Sequence, residues 1–369
     1  MSNQEAMFYP QETSRRQEGM GEQRQIDPRE EAAYAEGYGV PGAENIGEKI
    51  HPVEEQRRSQ QPPRQRRKHG WWIVLLLVVL LFSALAGGKA FFSRVNGVEN
   101  RDFTLQAGQQ APHLIVNNGA GDVHVKVGNT DSVHIQATKY SFGLLPTANA
   151  TVNYQQNGNT IEVTSNIDGV SFLNGADVDL EITVPAVADV NIVTYGGDID
   201  LSNVNGKLDL KTMGGDVSLS NSRLSGASQI HTSGGDITLT QTNGVLQVET
   251  NGGTIRAENV ALSGNSSVRS SGGDISFKDS LFQGTVEVNT SGGDIDFQGT
   301  LAVNGDYTFH TSGGKVTLNL PENSAFAAQL ETTGGEVNNE FGSNVVGTGP
   351  KATIKASSSG GDINVRKGR

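Results

Sequence analysis

The sequence predicts an all-β protein, a single-stranded β-helix or β-solenoid with coils of about 18–21 residues. One transmembrane helix and a disordered N-terminal tail precede it. Three observations carry this expectation. A Gly-Gly pair recurs nine times after residue 190, apolar and polar residues alternate around every pair, and one uncharged apolar run separates a polar tail from the repeats. The expected boundaries are a tail over 1–70, a transmembrane helix over 71–92, a linker over 93–110, an N-terminal β part over 111–190 and the repeat solenoid over 191–369.

The tail holds 12 Asp/Glu, 11 Lys/Arg and 9 Gln, with no sustained apolar period. Such a segment cannot bury enough surface to offset its chain entropy, so disorder is expected. The run that follows, WWIVLLLVVLLFSALA from Trp71 to Ala86, has no charge. With its flanks it approaches the roughly 20 residues a spanning helix needs. Trp71 and Trp72 suit an interfacial belt. Arg66, Arg67 and Lys68 lead a basic flank that the far side lacks, which places the tail inside the cell and residues 93–369 outside. A cleaved signal peptide ending at Ala84-Leu85-Ala86 is the rival reading; a 70-residue leader is too long for an ordinary signal.

The Gly pairs begin at residues 196, 214, 234, 252, 272, 292, 313, 334 and 360. Two residues after each pair stands Ile or Val, from Ile199 and Val217 to Ile363, and two further on mostly Leu or Phe. Two residues before each pair stands Thr or Ser. Period 2 marks a strand with one buried face. Stacking such coils about 4.8 Å apart turns these positions into inward ladders, and the stack supplies the core that one coil lacks. The pairs Gly196-Gly197, Gly214-Gly215, Gly234-Gly235, Gly272-Gly273 and Gly292-Gly293 are the expected corners, with positive φ as the reason for glycine. The coil after Gly334, where Asn339 replaces a core residue, and the basic end from Arg366 read as terminal caps.

Upstream, strands are expected at 113–118, 123–127, 133–138, 151–155, 160–164 and 178–184, with a loop over 141–146. Gly119-Ala120-Gly121-Asp122-Val123 reads as a degenerate copy of the corner.

Residues 178–219, VDLEITVPAVADVNIVTYGGDIDLSNVNGKLDLKTMGGDVSL, resemble the bacterial putative-adhesin family of β-strand repeats, domain of unknown function 4097, whose relatives are called toast-rack domains. The resemblance covers about residues 110–365. It implies a β-solenoid on the outer side of a bacterial membrane, and it implies no chemistry.

The Asp after the Gly pair is the first candidate site: Asp198, Asp216, Asp236, Asp274 and Asp294, with Asp362. Stacked carboxylates about 5 Å apart could attract Ca²⁺. The competing reading is an Asx turn that shapes the corner. Thr254, Lys315 and Glu336 occupy the same position in other coils, so the ladder is not obligate. Asp177, Asp179 and Glu181 alternate along one strand as a solvated face would, and His124 and His134 read as strand neighbours. His231 and His310 point outward about four coils apart, too far to share a metal.

The absence of Cys removes disulfides, thiol catalysis and Cys-ligated metals. The net charge of −12 argues against nucleic acid as a partner. No convergent acid–base cluster is apparent. The expectation is therefore no enzyme and no cofactor. The partners expected are the membrane and a surface glycan or protein ligand, with adhesion as the role. The alternatives are an envelope-stress sensing partner and a self-assembling structural solenoid.

Overall fold

The computed structural model describes residues 93–106, 111–143, 148–170, 174–185 and 188–368. The tail, the expected span 71–92 and the anchor residues Arg66, Arg67, Lys68, Trp71 and Trp72 lie outside the described residues. Among the described residues no helix is long and apolar enough to cross a membrane. All regular structure described is β.

Seven strands precede the repeats: β1 (Arg94–Thr104), β2 (His113–Asn118), β3 (Val123–Val127), β4 (Ser132–Gly143), β5 (Asn149–Asn157), β6 (Thr160–Asp168) and β7 (Asn174–Val184). The strands expected at 113–118 and 123–127 appear with those bounds, and the others run longer than expected. Residues 141–143 of the expected loop belong to β4. The expected linker is also corrected. Residues 94–104 pair antiparallel with β4 along its length.

The coils of the first six Gly pairs have three strand segments. The first ends at the Thr or Ser before the Gly pair, as in Leu208–Thr212; the second follows the pair, as in Val217–Ser220. The third begins strands such as Arg223–Thr232, which bends at Gly226 (φ 90) and becomes the first segment of the next coil. Equivalent segments pair in parallel and in register: Val217 lies between Ile199 and Ile237, and Leu210 between Ile192 and Ile230. These ladders are fully buried. Each such side chain contributes about 1.5–3 kcal/mol through burial. The third segment adds core residues that the Gly-pair pattern does not reveal, Val204, Val260, Leu262 and Phe282 among them.

The stack has eleven rungs among the described residues, more than the nine Gly pairs. β2 and β3 form a rung against the strands of the Gly196 coil, as the degenerate corner at Gly121 predicts. β6 and β7 form a further rung beyond it. β5 then runs antiparallel to β6, and β4 antiparallel to β7.

The rung order at the far end keeps the coil of Gly334 as a cap and corrects the expected basic cap from Arg366. Ala352–Ser358 and Ile363–Gly368, the last coil in sequence, pair on one side with the coil of Gly313 and on the other with the coil of Gly334. The coil of Gly334 is therefore outermost, and the basic end from Arg366 lies one rung inside. Phe341 packs edge-on against Phe326 (5.1 Å), and Val345–Val346 pairs antiparallel with Phe326 and Ala327.

Candidate binding surface

The nine Gly-pair rungs turn through the same corner, and the geometry there corrects the expected reason for glycine. None of the paired glycines has positive φ. The second glycine is needed because successive rungs touch there: a Cβ on Gly215 would lie 2.1 Å from the Gly197 carbonyl oxygen, and one on Gly235 2.0 Å from that of Gly215. The same holds at Gly197, Gly273 and Gly293. The first glycine is not constrained in this way. At Gly196 and Gly214 a Cβ would meet nothing within 4 Å, and at Gly234, Gly272 and Gly292 only contacts of 3.2 Å or more.

The conserved spacing of the hydroxyl residue has a matching reason. Thr212 Oγ1 donates to the Gly197 carbonyl (2.9 Å) and accepts the Gly215 N–H (3.2 Å). Thr232, Thr250 and Thr311 repeat both bonds, and all three are fully buried. Positive φ belongs to the next corner, at Asn203, Asn221, Gln241, Asn259 and Asp279. Each stands seven residues after the first glycine of its pair, a regular spacing visible in the sequence.

The Asp ladder does not form local Asx turns. Each carboxylate reaches to the next rung: Asp198 Oδ1 accepts the Asp216 N–H (2.8 Å), Asp216 that of Asp236 (2.7 Å), Asp236 that of Thr254 (2.8 Å) and Asp274 that of Asp294 (2.8 Å). The row extends past the repeats. Asp122 Oδ1 accepts from Asp198, and Asp179 Oδ1 from Asp122, so five carboxylates stand in succession from Asp179 to Asp236. A cation closes each run. Arg256 reaches Asp236 Oδ2 (3.0 Å) and Lys315 reaches Asp294 Oδ2 (3.3 Å). The Thr254 N–H first, and then Arg256, hold the Asp236 carboxyl below the usual range against the opposing effect of burial. Among the described residues no group of three or more acidic or histidine side chains is arranged to hold a metal ion.

The other acids and histidines also differ from expectation. Asp177 is buried, at 8% exposure, so that strand is not a uniformly solvated face. With Asp179, Glu181 and Asp122 it pushes the Tyr140 hydroxyl up, after burial itself. His124 and His134 are not neighbours, because β7 pairs with both of their strands. His124 meets Asp200 (2.9 Å) and His134 meets Asp102 (2.6 Å).

The face made by the first segments is flat and polar. It carries a shallow depression of about 80 Å³, lined by Gln229, His231, Gln247, Glu249, Ser267 and Arg269 together with Ile230 and Val248. Strand register sets Gln229, Gln247 and Ser267 in one row and His231, Glu249 and Arg269 in the next. His231 Nδ1 lies 3.6 Å from Glu249 Oε2, and Arg269 pairs with Glu287 (2.9 Å). The buried Ser267 hydroxyl has no hydrogen-bond partner in the protein. The site thus offers amides, an imidazole, a carboxylate and a guanidinium at rung spacing. That set suits a polyhydroxylated or extended polar ligand. Sequence periodicity places these residues outward; only the stack shows which of them share a hollow.

No curated protein matches the chain. Solved structures to which the chain is similar include a putative adhesin from Bacteroides fragilis NCTC 9343, 14% identical, with a TM-score of 0.39 over 73% of this chain and 97% of that one. A putative lipid binding protein from Parabacteroides distasonis ATCC 8503 is 13% identical, with a TM-score of 0.37 over 74% and 98%. A putative cell adhesion protein from Clostridium sporogenes ATCC 15579 is 11% identical, with a TM-score of 0.22 over 73% and 100%. Residues 111–366, nearly the whole of the stack described above, match the Toastrack DUF4097 model, and the chain belongs to that family.

Proposed function

We propose that this chain is a single-pass bacterial membrane protein that holds its solenoid outside the cell as a binding surface, in an adhesin-like role, and that it is not an enzyme. The uncharged run at 71–86 and the basic residues before it support the anchor and its orientation. The observation that carries the binding role is the polar depression around Gln229, Gln247, Glu249 and Arg269.

The test is binding of the full chain, held in detergent or nanodiscs, to an array of bacterial and host glycans. Binding weakened at least tenfold by Arg269→Glu and by Gln247→Ala supports the site. Binding that both variants leave unchanged would move the surface elsewhere on the solenoid. No binding above background on any glycan would sink the glycan reading. Loss of activity in cells on deleting residues 1–60 alone would favour the envelope-stress sensing alternative.

A further inference from the structure

The expected linker over 93–110 would let the outer domain roam. Eighteen extended residues reach roughly 60 Å. The structure removes that freedom, because β1 begins at Arg94, with only Ser93 between it and the end of the apolar segment at Phe92. β1 is also an edge strand. It pairs with β4 on one side, and among the described residues nothing pairs with the other.

Its surface chemistry is unusual for an edge. A register shift between Val95 and Gly97 sets Val95 opposite Tyr140 and Val98 opposite Thr138. Tyr140 and Thr138 are two residues apart on β4, so both valines lie on one face of the sheet. They are 58% and 50% exposed. The other face of β1 turns toward the end of the solenoid, where Glu99 pairs with Lys139, Arg101 stacks over the Tyr154 ring (5.5 Å) and Phe103 lies 6.3 Å from Tyr154. Burial first, and then the Glu99 charge, pushes the Tyr154 hydroxyl up to about 12, consistent with a tight contact. β1 is therefore held firmly against the domain and offers two apolar side chains outward.

We propose that β1 lies in the headgroup interface of the bilayer that carries the preceding segment, with Val95 and Val98 against lipid, so that the N-terminal end of the solenoid rests on the membrane. The proposal rests on the anchored reading above. The occupant follows from where the chain comes from. A run of 16 uncharged residues ends at Ala86, with seven residues between it and β1, so the nearest apolar phase to these valines is that same bilayer. Exposed Arg94 stands at the boundary, where a cation meets phosphate.

The absence of cysteine makes the test direct. The full chain is reconstituted in phosphatidylcholine vesicles as Asn100→Cys or Asn338→Cys, each carrying one environment-sensitive fluorophore. Asn100 reports on β1 and Asn338 on the far end. Flotation with the vesicles is scored first, and a chain that does not float overturns both the anchor and the contact. For a chain that floats, the contact predicts that aqueous iodide quenches the Asn100 label several-fold less than the Asn338 label, and that lipid-borne quenchers do the reverse. Equal quenching by iodide overturns the contact and leaves the anchor standing. Val95→Ser with Val98→Ser should expose the Asn100 label; protection that persists shows that the valines do not make the contact. Protection that falls as protein is diluted in lipid identifies a second copy as the occupant and overturns the proposal.

Discussion

The two ends of the solenoid share a topology and differ in how they close. At each end the outermost rung is not the terminal one in sequence. β2 and β3 come first in the chain but sit inside β6 and β7. The last coil likewise sits inside the coil of Gly334. A rung inside the stack has strand partners on both sides, so it frays less than an outermost rung would. Beyond this the ends part. β5 and β4 cover the N-terminal end with antiparallel pairing, and β1 adds to β4. The C-terminal end has only Val345–Val346 and Phe341 over part of its outer rung, and leaves Val337 44% exposed. Glu331 and Glu336 stand on that rung and discourage pairing with a further strand. A parallel stack has no intrinsic stop. One end continues into antiparallel strands that finish on the edges β5 and β1, and the other stops mostly by charge.

The comparison is broken most severely by removing the inserted rung. Truncation after residue 351 takes away the shared partner of 306–321 and 326–339, so the outer rung loses its seat. Hydrogen exchange should show lost protection at Phe326–Thr332 and Val337–Asn339, while β2 and β3 stay protected. Deleting residues 93–104 strips only an edge and should leave the repeats protected. Equal damage from the two deletions would refute the asymmetry.

Glycine substitutions come next. Gly197→Ala drives a Cβ to 1.8 Å from the Gly121 carbonyl oxygen in the closed half of the stack, and should cost about 3 kcal/mol or more. Gly335→Ala places the Cβ 2.4 Å from the Gly361 oxygen, but in an outer rung that can move outward, so it should cost less. Gly196→Ala, with open space around it, should stay within about 0.5 kcal/mol. Chemical denaturation of the three variants orders them.

Thr212→Val leaves the Gly197 carbonyl and the Gly215 N–H without partners inside the stack, at about 2 kcal/mol. Thr332→Val makes the same deletion in the outer rung, where water reaches the orphaned groups, and should cost visibly less. Equal costs would mean that the outer rung is as sealed as the middle.

The Asp ladder gives the stack a pH dependence. The Asp236 carboxyl is held low in the folded state, chiefly by the Thr254 N–H. Its stabilisation is therefore fully present above the ordinary Asp range near pH 4 and is lost as pH falls through the lowered folded value. Thermal melts from pH 6 downward should show a shallower acid loss in Asp236→Asn than in the parent. The smallest effect is a gain. Gln241 holds φ 50, the one position of its corner row not occupied by Asn or Asp, and Gln241→Asn should stabilise by up to about 1 kcal/mol.

Much of this fold was legible because its code is repetitive. Ile199, Val217 and Ile237 announce a buried face, and Gly121-Asp122-Val123 announces a tenth rung before the nine pairs. The reason for the second glycine was not legible, since a rung-to-rung contact at 2 Å and a positive φ select the same residue. Strand β1 was not legible either. Val95, Val98 and Phe103 are too sparse to declare a strand, and only pairing with β4 makes them one. The hollow at Gln229 and Arg269 shows no local signal, because its residues come from three coils.

The amino-acid sequence by itself determined the two strands that flank each Gly pair, the period and the identity of their ladders, because alternation and turn chemistry act within a few residues. The order of the rungs was decided by the tertiary structure alone. Coils with the same Thr-x-Gly-Gly corner are nearly interchangeable partners for one another. The loop between Asn339 and Ala352 and the packing of Phe341 on Phe326 settle which coil lies outside.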